Sequence, residues 1–474
     1  MINRPKTHFF QNPENTFFLF SSVAVIIILL SGNIPFFWDN ITISEYINFY
    51  LSDSFRHIIP PLKTDFGPLT INALYLATCC AIFGKTLLVC HLAIIPVVVG
   101  ILLETKKISL RFIKPDFLPM VYLLLLFDPA FITQVLLMGY DLFLLYFVLL
   151  ATRTLLEKKH LLYSISLLLL VATSFRALFF IPPLALIHLM ILLRYDKALP
   201  QIKDALVYLP ALLFLISWSI YHYLLTGWIL INPANVVHIS INGPAMVVRQ
   251  LIYILWKITD SGKILPWLFC LLCILMYYRK LRTHKLRLLL WLLFAPLAIN
   301  SLIMIFLSNP VGHKYFLQTF VFLIILTIYF LQQIHLKKIR IGIFILILAG
   351  FFAGNFIFYP QKYGNAWETS LKVLPYFSLE KDLAAYVKQQ GICPGDVYSY
   401  YPITNNHKLS YLQEDFAYAD ASHTHIDSCR YFIISNVYNI INPEAIHAKA
   451  KKWIPLKHFS SGQVYLTLYK NPAR

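Results

Sequence analysis

Charge is what this chain has least of. Only 13% of its 474 residues are charged, whereas a soluble protein of this length carries about 25%. Hydrophobic residues make up 58% of the chain and the mean hydropathy is +0.66, so long apolar runs recur along most of it. The composition excludes a water-soluble enzyme and predicts an α-helical polytopic membrane protein.

Several binding motifs are also missing. No glycine-rich phosphate loop occurs, which argues against a nucleotide substrate. The fifteen histidines are scattered, and the one close pair, His423 and His425, is too little for a zinc site without further ligands. The net charge of +18 comes with no continuous basic tract or nucleic-acid-binding motif. We therefore expect no metal site of this kind and no nucleic-acid partner.

Lysine and arginine instead gather in six clusters, as they do in cytoplasmic loops. If all six are cytoplasmic, an even number of crossings separates neighbouring clusters. Of the apolar runs 67–83 and 86–103, only one is then able to cross, and we assign the crossing to 86–103. Run 67–83 becomes a juxtamembrane or half-inserted helix; the alternative is one bent helix over both. The chain is thus predicted to have about eleven spanning helices: 16–37, 86–103, 115–136, 141–157, 161–178, 179–193, 205–223, 264–278, 288–307, 315–334 and 341–359.

This count places the N-terminus in the cytoplasm and the C-terminus outside. Residues 1–359 form the membrane domain, with a first outer loop at 38–66 and a second at 224–263. The first apolar run is too long for the core of a signal peptide and no small-residue cleavage site follows it, so we expect a retained first helix. We expect the protein to lie in a bacterial inner (cell) membrane.

Residues 360–474 have a soluble composition. A helix is predicted from a Ser378 cap to Gln390, stopped by Gly391, and another begins at Asn442-Pro443. Three strand-like runs accompany them, which indicates a small α/β extracytoplasmic domain: 396–401, 430–435 and 463–469.

Two cysteines, Cys393 and Cys429, lie in this outer segment. In an oxidising compartment they would be free to pair, and two buried thiols are the alternative. The sequence leaves both open.

Ionisable groups at the edge of membrane helices are costly and are therefore functional candidates. Asp39 follows the first helix and Asp141 begins the fourth crossing helix, both on the predicted outer face. Glu45 lies six residues after Asp39, and Asp128 lies near the outer end of the third crossing helix. The alternative for each is a solvated acid at a helix end, stabilised by the helix dipole in the case of Asp141.

Basic residues on the predicted outer side stand against the usual charge distribution. Cations that converge near the outer leaflet suit a phosphate or diphosphate at the membrane surface. The alternative is snorkelling of long side chains toward the interface. The residues concerned are Arg56, Lys63, Arg176, Arg249, Lys257, Lys263 and Lys314.

Three stretches resemble the GT-C superfamily of polyprenyl-phosphate-dependent glycosyltransferases, near its protein O-mannosyltransferase and aminoarabinose-transferase branch. Asp65 to Tyr75, followed by Phe83-Gly84, is similar to the Pro-Pro-Leu-Tyr-Tyr segment and Phe-Gly of that branch. Gln134 to Phe143 resembles the stretch that carries a second acid. His313 to Leu317 resembles an Arg-Tyr-Leu-Leu-Pro step at a late helix. The resemblance covers roughly residues 10–360.

The resemblance implies inverting transfer of a sugar from a polyprenyl-phosphate donor to a lipid, glycan or protein acceptor at the outer face. Asp39 would be the base or the acid that orients the acceptor, with Asp141 as its partner. Glu45 is the second candidate for the role of Asp39. The donor phosphate would be bound by cations. The cations are Lys63, Arg176, Arg249 and Lys314. The sequence requires no cofactor and leaves a divalent cation open.

Two alternatives remain. A transporter or flippase of a lipid-linked saccharide needs the same cations and no base, but it predicts internal repeats, which are not evident in the sequence. A catalytically inactive protein of the same fold is the other, because Asn40 follows Asp39 where the family has Asp-Glu.

Overall fold

The computed structural model describes most of the chain. Four features of the sequence analysis lie outside the described residues. They are the predicted phosphate ligand Lys63, the predicted helix start at Asn442-Pro443, His423 and the domain boundary at 359–360. Described are residues 11–473 apart from 63, 230–231, 234–242, 278–282, 307–310, 358–366, 413–414, 423, 438–445, 447 and 449–451.

The first part of the chain is a bundle of α-helices around one large apolar core. Their bounds, in chain order, are α1 Pro13–Leu30, α2 Asn40–Ser52, α3 Ile71–Phe83, α4 Leu87–Ser109, α5 Leu118–Phe127, α6 Pro129–Leu136, α7 Asp141–Leu156, α8 His160–Val171, α9 Ile181–Met190, α10 Ile202–Leu206, α11 Leu209–Thr226, α12 Pro244–Thr259, α13 Ile264–Tyr277, α14 His284–Ile305, α15 Leu317–Leu331 and α16 Lys337–Gly354.

Each of the eleven apolar runs contains a helix. Judged by length and composition alone, six described helices are able to cross a bilayer, or eight if two bent pairs each count as one span. The other predicted runs fold into helices that are shorter or more charged. Helix α7 has 16 residues and α8 has 12, and α16 begins with three basic residues, Lys337, Lys338 and Arg340.

The two bent pairs have local causes. At the first, α5 ends before Asp128, whose carboxylate accepts a hydrogen bond from the Phe131 amide (2.9 Å) and caps α6, and the axis turns by 64°. At the second, α12 turns by 89° into α13 around Gly262, whose φ is +81°. A Cβ there would lie 2.1 Å from the Gly350 carbonyl oxygen, so only glycine fits. The predicted second outer loop therefore contains a helix, α12.

Helices α3 and α4 are separate elements joined at Gly84, which has a φ of +95°. With 13 residues, α3 is about 20 Å long and shorter than the apolar thickness of a bilayer. The alternative of one bent helix over both runs is therefore not realised, and the juxtamembrane position of 67–83 stays a prediction.

The C-terminal part is a small α/β unit, as predicted. Its sheet has the order β2-β1-β3-β5-β4, with β1 parallel to β2 and β3 and the other pairs antiparallel. Ser378 does not cap the main helix: it lies inside it, and its hydroxyl donates to the Pro375 carbonyl, because the helix begins earlier with Pro375 in its first turn. The elements are α17 Leu374–Gln389, β1 Val397–Ser399, α18 His407–Ser410, β2 Ala419–Asp420, β3 Tyr431–Ser435, β4 Ile454–Ser461 and β5 Val464–Lys470.

Cys393 is exposed and Cys429 is buried, and neither is in a disulfide. The alternative of a disulfide between them is not realised.

The segment after α1 joins the two parts. Helix α1 ends at Leu30, earlier than predicted, where the Ser31 hydroxyl donates to the Ile28 carbonyl. Phe37 is buried in the core of the C-terminal unit, and the Phe36 amide donates to the Ser410 carbonyl (2.9 Å). This contact holds the start of α2, and with it Asp39, beneath the C-terminal unit.

Candidate active site

Five ionisable side chains from distant parts of the sequence form two adjoining ion-pair groups. Lys314 Nζ lies 2.6 Å from Asp39 Oδ2 and 2.8 Å from Glu368 Oε1. Arg176 Nη1 lies 2.7 Å from Asp141 Oδ1. Two aromatic rings, those of Tyr140 and Tyr315, contact both Lys314 and Arg176. The structure thus brings together four of the seven site residues expected from the sequence.

Local structure explains how each residue reaches this place. Asp39 immediately precedes α2, and Asp141 is the first residue of α7, where the helix N-terminus favours a carboxylate. Arg176 and Lys314 lie in short 3-10 turns that lead into α9 and α15. All four therefore sit at helix entrances, at one end of the bundle.

Asp39 differs from its neighbours in exposure. Its side chain is 42% exposed, whereas that of Lys314 is 2% exposed. Burial opposes ionisation of Asp39, but the charges of Lys314 and Arg176 outweigh it and hold the pKa of Asp39 below its usual value. Asp39 is thus an ionised carboxylate with one side open to an incoming group.

Glu368 is the site residue that the sequence analysis missed. Burial, together with the negative charge of Asp39, raises its pKa to about 7 in spite of Lys314. Its backbone carbonyl accepts a hydrogen bond from Gln134 Nε2 (3.1 Å). One signal was present: Glu368 is the first acid after the last apolar run and directly follows a tryptophan.

Arg176 lies between two aromatic rings, with its guanidinium carbon 4.7 Å from the Tyr140 centroid and 4.4 Å from the Tyr315 centroid. Its Nη1 and Nη2 atoms and both carboxylate oxygens of Asp141 are buried, and they make no well-directed hydrogen bond to the described residues. Buried polar groups are rarely left this way. The pair therefore has unused hydrogen-bonding capacity for a polar ligand.

The C-terminal unit also reaches the site. The Tyr401 ring packs edge-on against Trp38, with centroids 5.5 Å apart. Burial raises the pKa of Tyr401, and the nearby charges of Asp39 and Glu368 raise it further. Trp38 adopts a φ of +53°, a conformation that is rare for a bulky residue and costs free energy. Both parts of the molecule therefore line the space beside Asp39.

Other predicted residues lie elsewhere. Glu45 is half-buried on α2, six residues beyond Asp39 and so on a different face of that helix, where its charge acts on Tyr46. Arg249 is exposed on α12, and its guanidinium donates to the Tyr253 hydroxyl (3.2 Å). The structure brings neither residue into the ion-pair groups.

Two further expectations concern buried charges and metals. Asp128 pairs with the buried Lys263, Oδ2 to Nζ 3.1 Å, at the junction of the two bent helix pairs. Within the described ranges, no three His, Cys, Asp or Glu side chains are grouped so as to hold a metal ion.

Comparison with known proteins relates the fold to solved structures. No family model and no curated protein sequence matches the chain. ArnT from Cupriavidus metallidurans, solved with bound undecaprenyl phosphate, matches with a TM-score of 0.54 at 12% identity, over 96% of this chain and 98% of ArnT. The apo form of ArnT matches with the same TM-score at 13% identity.

A second transferase has a similar structure. The arabinofuranosyltransferase AftD from Mycobacteria matches 97% of this chain, but only 40% of its own length, with a TM-score of 0.50 at 11% identity. Both neighbours are GT-C glycosyltransferases. The chain therefore has the GT-C fold, a helical membrane domain followed by a small C-terminal α/β unit.

Proposed function

We propose that this protein is a membrane glycosyltransferase that moves a sugar from a polyprenyl-phosphate donor to a hydroxyl group of a lipid, glycan or protein acceptor at the outer face of the membrane. One observation carries the proposal: an open, ionised carboxylate, Asp39, lies beside the buried Lys314 and near Arg176, whose guanidinium nitrogens are buried. The neighbour ArnT binds undecaprenyl phosphate, which supports a lipid-linked donor.

The reaction divides between these groups. The acceptor hydroxyl oxygen attacks the anomeric carbon and the bond from that carbon to the phosphate oxygen breaks, which inverts the configuration. The proton of the hydroxyl passes to Asp39, whose depressed pKa keeps it ionised before the reaction. The electron pair of the broken bond stays on the phosphate, which leaves as polyprenyl phosphate.

The cations stabilise that leaving group. Lys314 is already fixed by Asp39 and Glu368, and Arg176 is fixed between two rings with Nη atoms to spare. Donors that are held in place before the reaction stabilise developing charge without reorganising. Asp141 keeps Arg176 in place, so we assign it a positioning role.

Reconstituted protein tests the proposal. Proteoliposomes are incubated with a panel of radiolabelled undecaprenyl-phosphate sugars and a bacterial membrane extract as acceptor, and labelled product and released undecaprenyl phosphate are measured. We expect one donor to be consumed with transfer of its sugar. Arg176→Lys keeps the positive charge but loses the planar guanidinium, which is able to bind a phosphate through two nitrogens. This variant should slow transfer about 100-fold.

Arg249→Lys is the matched control, because Arg249 is exposed and binds Tyr253 instead; its transfer rate should be unchanged. Movement of intact lipid-linked sugar across the proteoliposome membrane, without cleavage of any donor, would instead establish the transporter.

A further inference from the structure

A cavity of about 220 Å³ lies far from the ion-pair groups. It opens beside Thr154 at the end of α7, and α7 begins at Asp141. Thirteen residues of α-helix separate the two, a distance of about 20 Å along the helix axis. The cavity therefore belongs to the opposite end of the bundle, which the charge distribution predicts to be cytoplasmic.

The floor of the cavity is polar and buried. His188 is 5% exposed and Tyr163 is 1% exposed, and both line the cavity. His188 Nδ1 lies 3.1 Å from the Tyr208 hydroxyl, which lies 3.1 Å from the Tyr163 hydroxyl. Side chains that enter from three different helical segments thus form a fixed hydrogen-bonding surface. The cavity therefore has buried polar groups inside it as well as charged residues at its surface.

The rim carries positive charge. Lys158, Lys159 and Lys203 line it, against Asp196 and Asp204. The Asp204 carboxylate is occupied, because it accepts a hydrogen bond from the Gln201 amide and caps α10. Lys158 pairs with Asp196 and Lys159 with Glu157, but both lysines are more than half exposed. Solvent around the two lysine side chains weakens these pairs, so both lysines are able to turn toward an anion.

One wall has an unusual backbone. Residues Ile191–Asp196 form a π-helical turn, and the next residue, Lys197, has a left-handed φ of +51°. Such widened turns often occur at functional sites, and a left-handed conformation at a non-glycine residue costs free energy. Ile191, Leu192 and Asp196 from this turn face the cavity.

Long aliphatic side chains surround the charged rim. Leu161, Leu199 and Ile202 are each at least 77% exposed, and Leu199 lines the cavity. Acyl chains at a bilayer surface would cover these side chains and remove them from water. The rim therefore combines cations with an apolar surface.

We propose that this cavity binds the headgroup of an anionic phospholipid. The phosphate contacts the lysines of the rim, the polar part of the headgroup reaches His188 on the floor, and the acyl chains lie along Leu161 and Leu199. The site is independent of sugar transfer and lies at the opposite membrane face.

Native mass spectrometry of the purified full-length protein in detergent tests this site. Phosphatidylglycerol, phosphatidylcholine and inorganic phosphate are added separately, and bound molecules are counted. We expect one tightly bound phosphatidylglycerol and no comparable phosphatidylcholine. Lys159→Gln with Lys203→Gln should weaken that binding about thirtyfold, since each surface cation contributes roughly a factor of five to anionic lipid binding.

The matched control is Lys114→Gln with Lys337→Gln, two exposed lysines from other predicted cytoplasmic clusters, which should leave binding unchanged. His188→Phe keeps a ring on the floor but removes its hydrogen bond, and should also weaken binding. Equal loss in both double variants, or phosphatidylglycerol binding that neither Lys159/Lys203 nor His188 affects, would overturn the proposal. Inorganic phosphate that occupies the site as tightly as the lipid would overturn the lipid assignment.

Discussion

Asp39 and Glu368 share one lysine and yet have opposite ionisation behaviour. Asp39 is partly open to solvent and its pKa is lowered, whereas Glu368 is held at about 7 by burial and by the charge of Asp39. Two carboxyl groups with separated pKa values suit different tasks. We assign proton acceptance to Asp39 and the tuning of the charge around Lys314 to Glu368.

Replacing Asp39 with asparagine should remove the proton acceptor. We expect Asp39→Asn to lower the transfer rate at least about 100-fold. The KM for the donor should not rise, because Glu368 still holds Lys314 in place and one negative charge beside the phosphate site is lost. Initial rates at varied donor concentration measure both. Asp53→Asn, at the other end of the same helix, is the control and should behave as wild type. Full transfer by Asp39→Asn would remove Asp39 from the chemistry.

Glu368 should make donor binding depend on pH. Its pKa is raised to about 7, so the side chain is neutral below this pH and negative above it. A negative charge near the phosphate site repels the donor, so the KM for a phosphodiester donor should rise about tenfold between pH 6 and pH 8. Glu368→Gln fixes the neutral form and should give a low KM at both pH values. The same rise in KM in this variant would show that another group titrates.

Individual site residues were predictable only where a membrane made them conspicuous. Asp39, Asp141, Arg176 and Lys314 stood out because charge is rare at helix ends in an apolar chain. Glu368 lies in a segment of more polar composition, where an acid is ordinary. Arg249 looked equivalent to Arg176 because sequence does not reveal which way a helix turns its side chains.

At the scale of elements, a hydrogen-bonded chain connects three segments around the site. His313 Nε2 lies 2.6 Å from Asp260 at the α12–α13 bend, and its Nδ1 lies 3.1 Å from the Thr369 hydroxyl. His313 precedes Lys314, and Thr369 follows Glu368. These hydrogen bonds therefore hold Lys314 and Glu368 in contact with each other.

Breaking this connection should misplace Glu368 and Lys314. We expect Thr369→Val, which keeps the shape but removes the hydroxyl, to lower kcat about tenfold. The free energy of unfolding should fall by only about 1 kcal/mol. Thr369→Ser keeps the hydroxyl and should retain wild-type kcat. Both variants are compared by steady-state kinetics and by denaturant unfolding; a loss of stability in Thr369→Val with unchanged kcat would limit Thr369 to a structural role.

At the scale of the whole molecule, the two parts share a core. Phe37 from the segment after α1 and Leu137 from the bundle are buried with residues of the C-terminal sheet. Tyr401 then lies against Trp38. We infer that the C-terminal unit shapes the entrance for the acceptor, although its sequence contains no binding motif.

The predicted orientation is testable with a natural cysteine. Among all seven cysteines, which lie in the described part of the chain, Cys393 is the exposed one. If the C-terminal unit lies outside, a membrane-impermeant maleimide should label the protein in intact cells, and Cys393→Ser should abolish the labelling. Labelling that requires permeabilised cells would place this unit in the cytoplasm and overturn the topology.

The sequence by itself determined that this is a polytopic helical membrane protein with a small α/β unit at its end, because apolar length and charge position are properties of short segments. Only the tertiary structure decided the partners of each charge. Asp39 and Lys314 are 275 positions apart, and their 2.6 Å contact depends on how helix bends and the C-terminal unit pack. A local sequence pattern does not indicate which distant residues come into contact. The pairing of Arg176 with Asp141 and the position of Glu368 were therefore visible only in the fold.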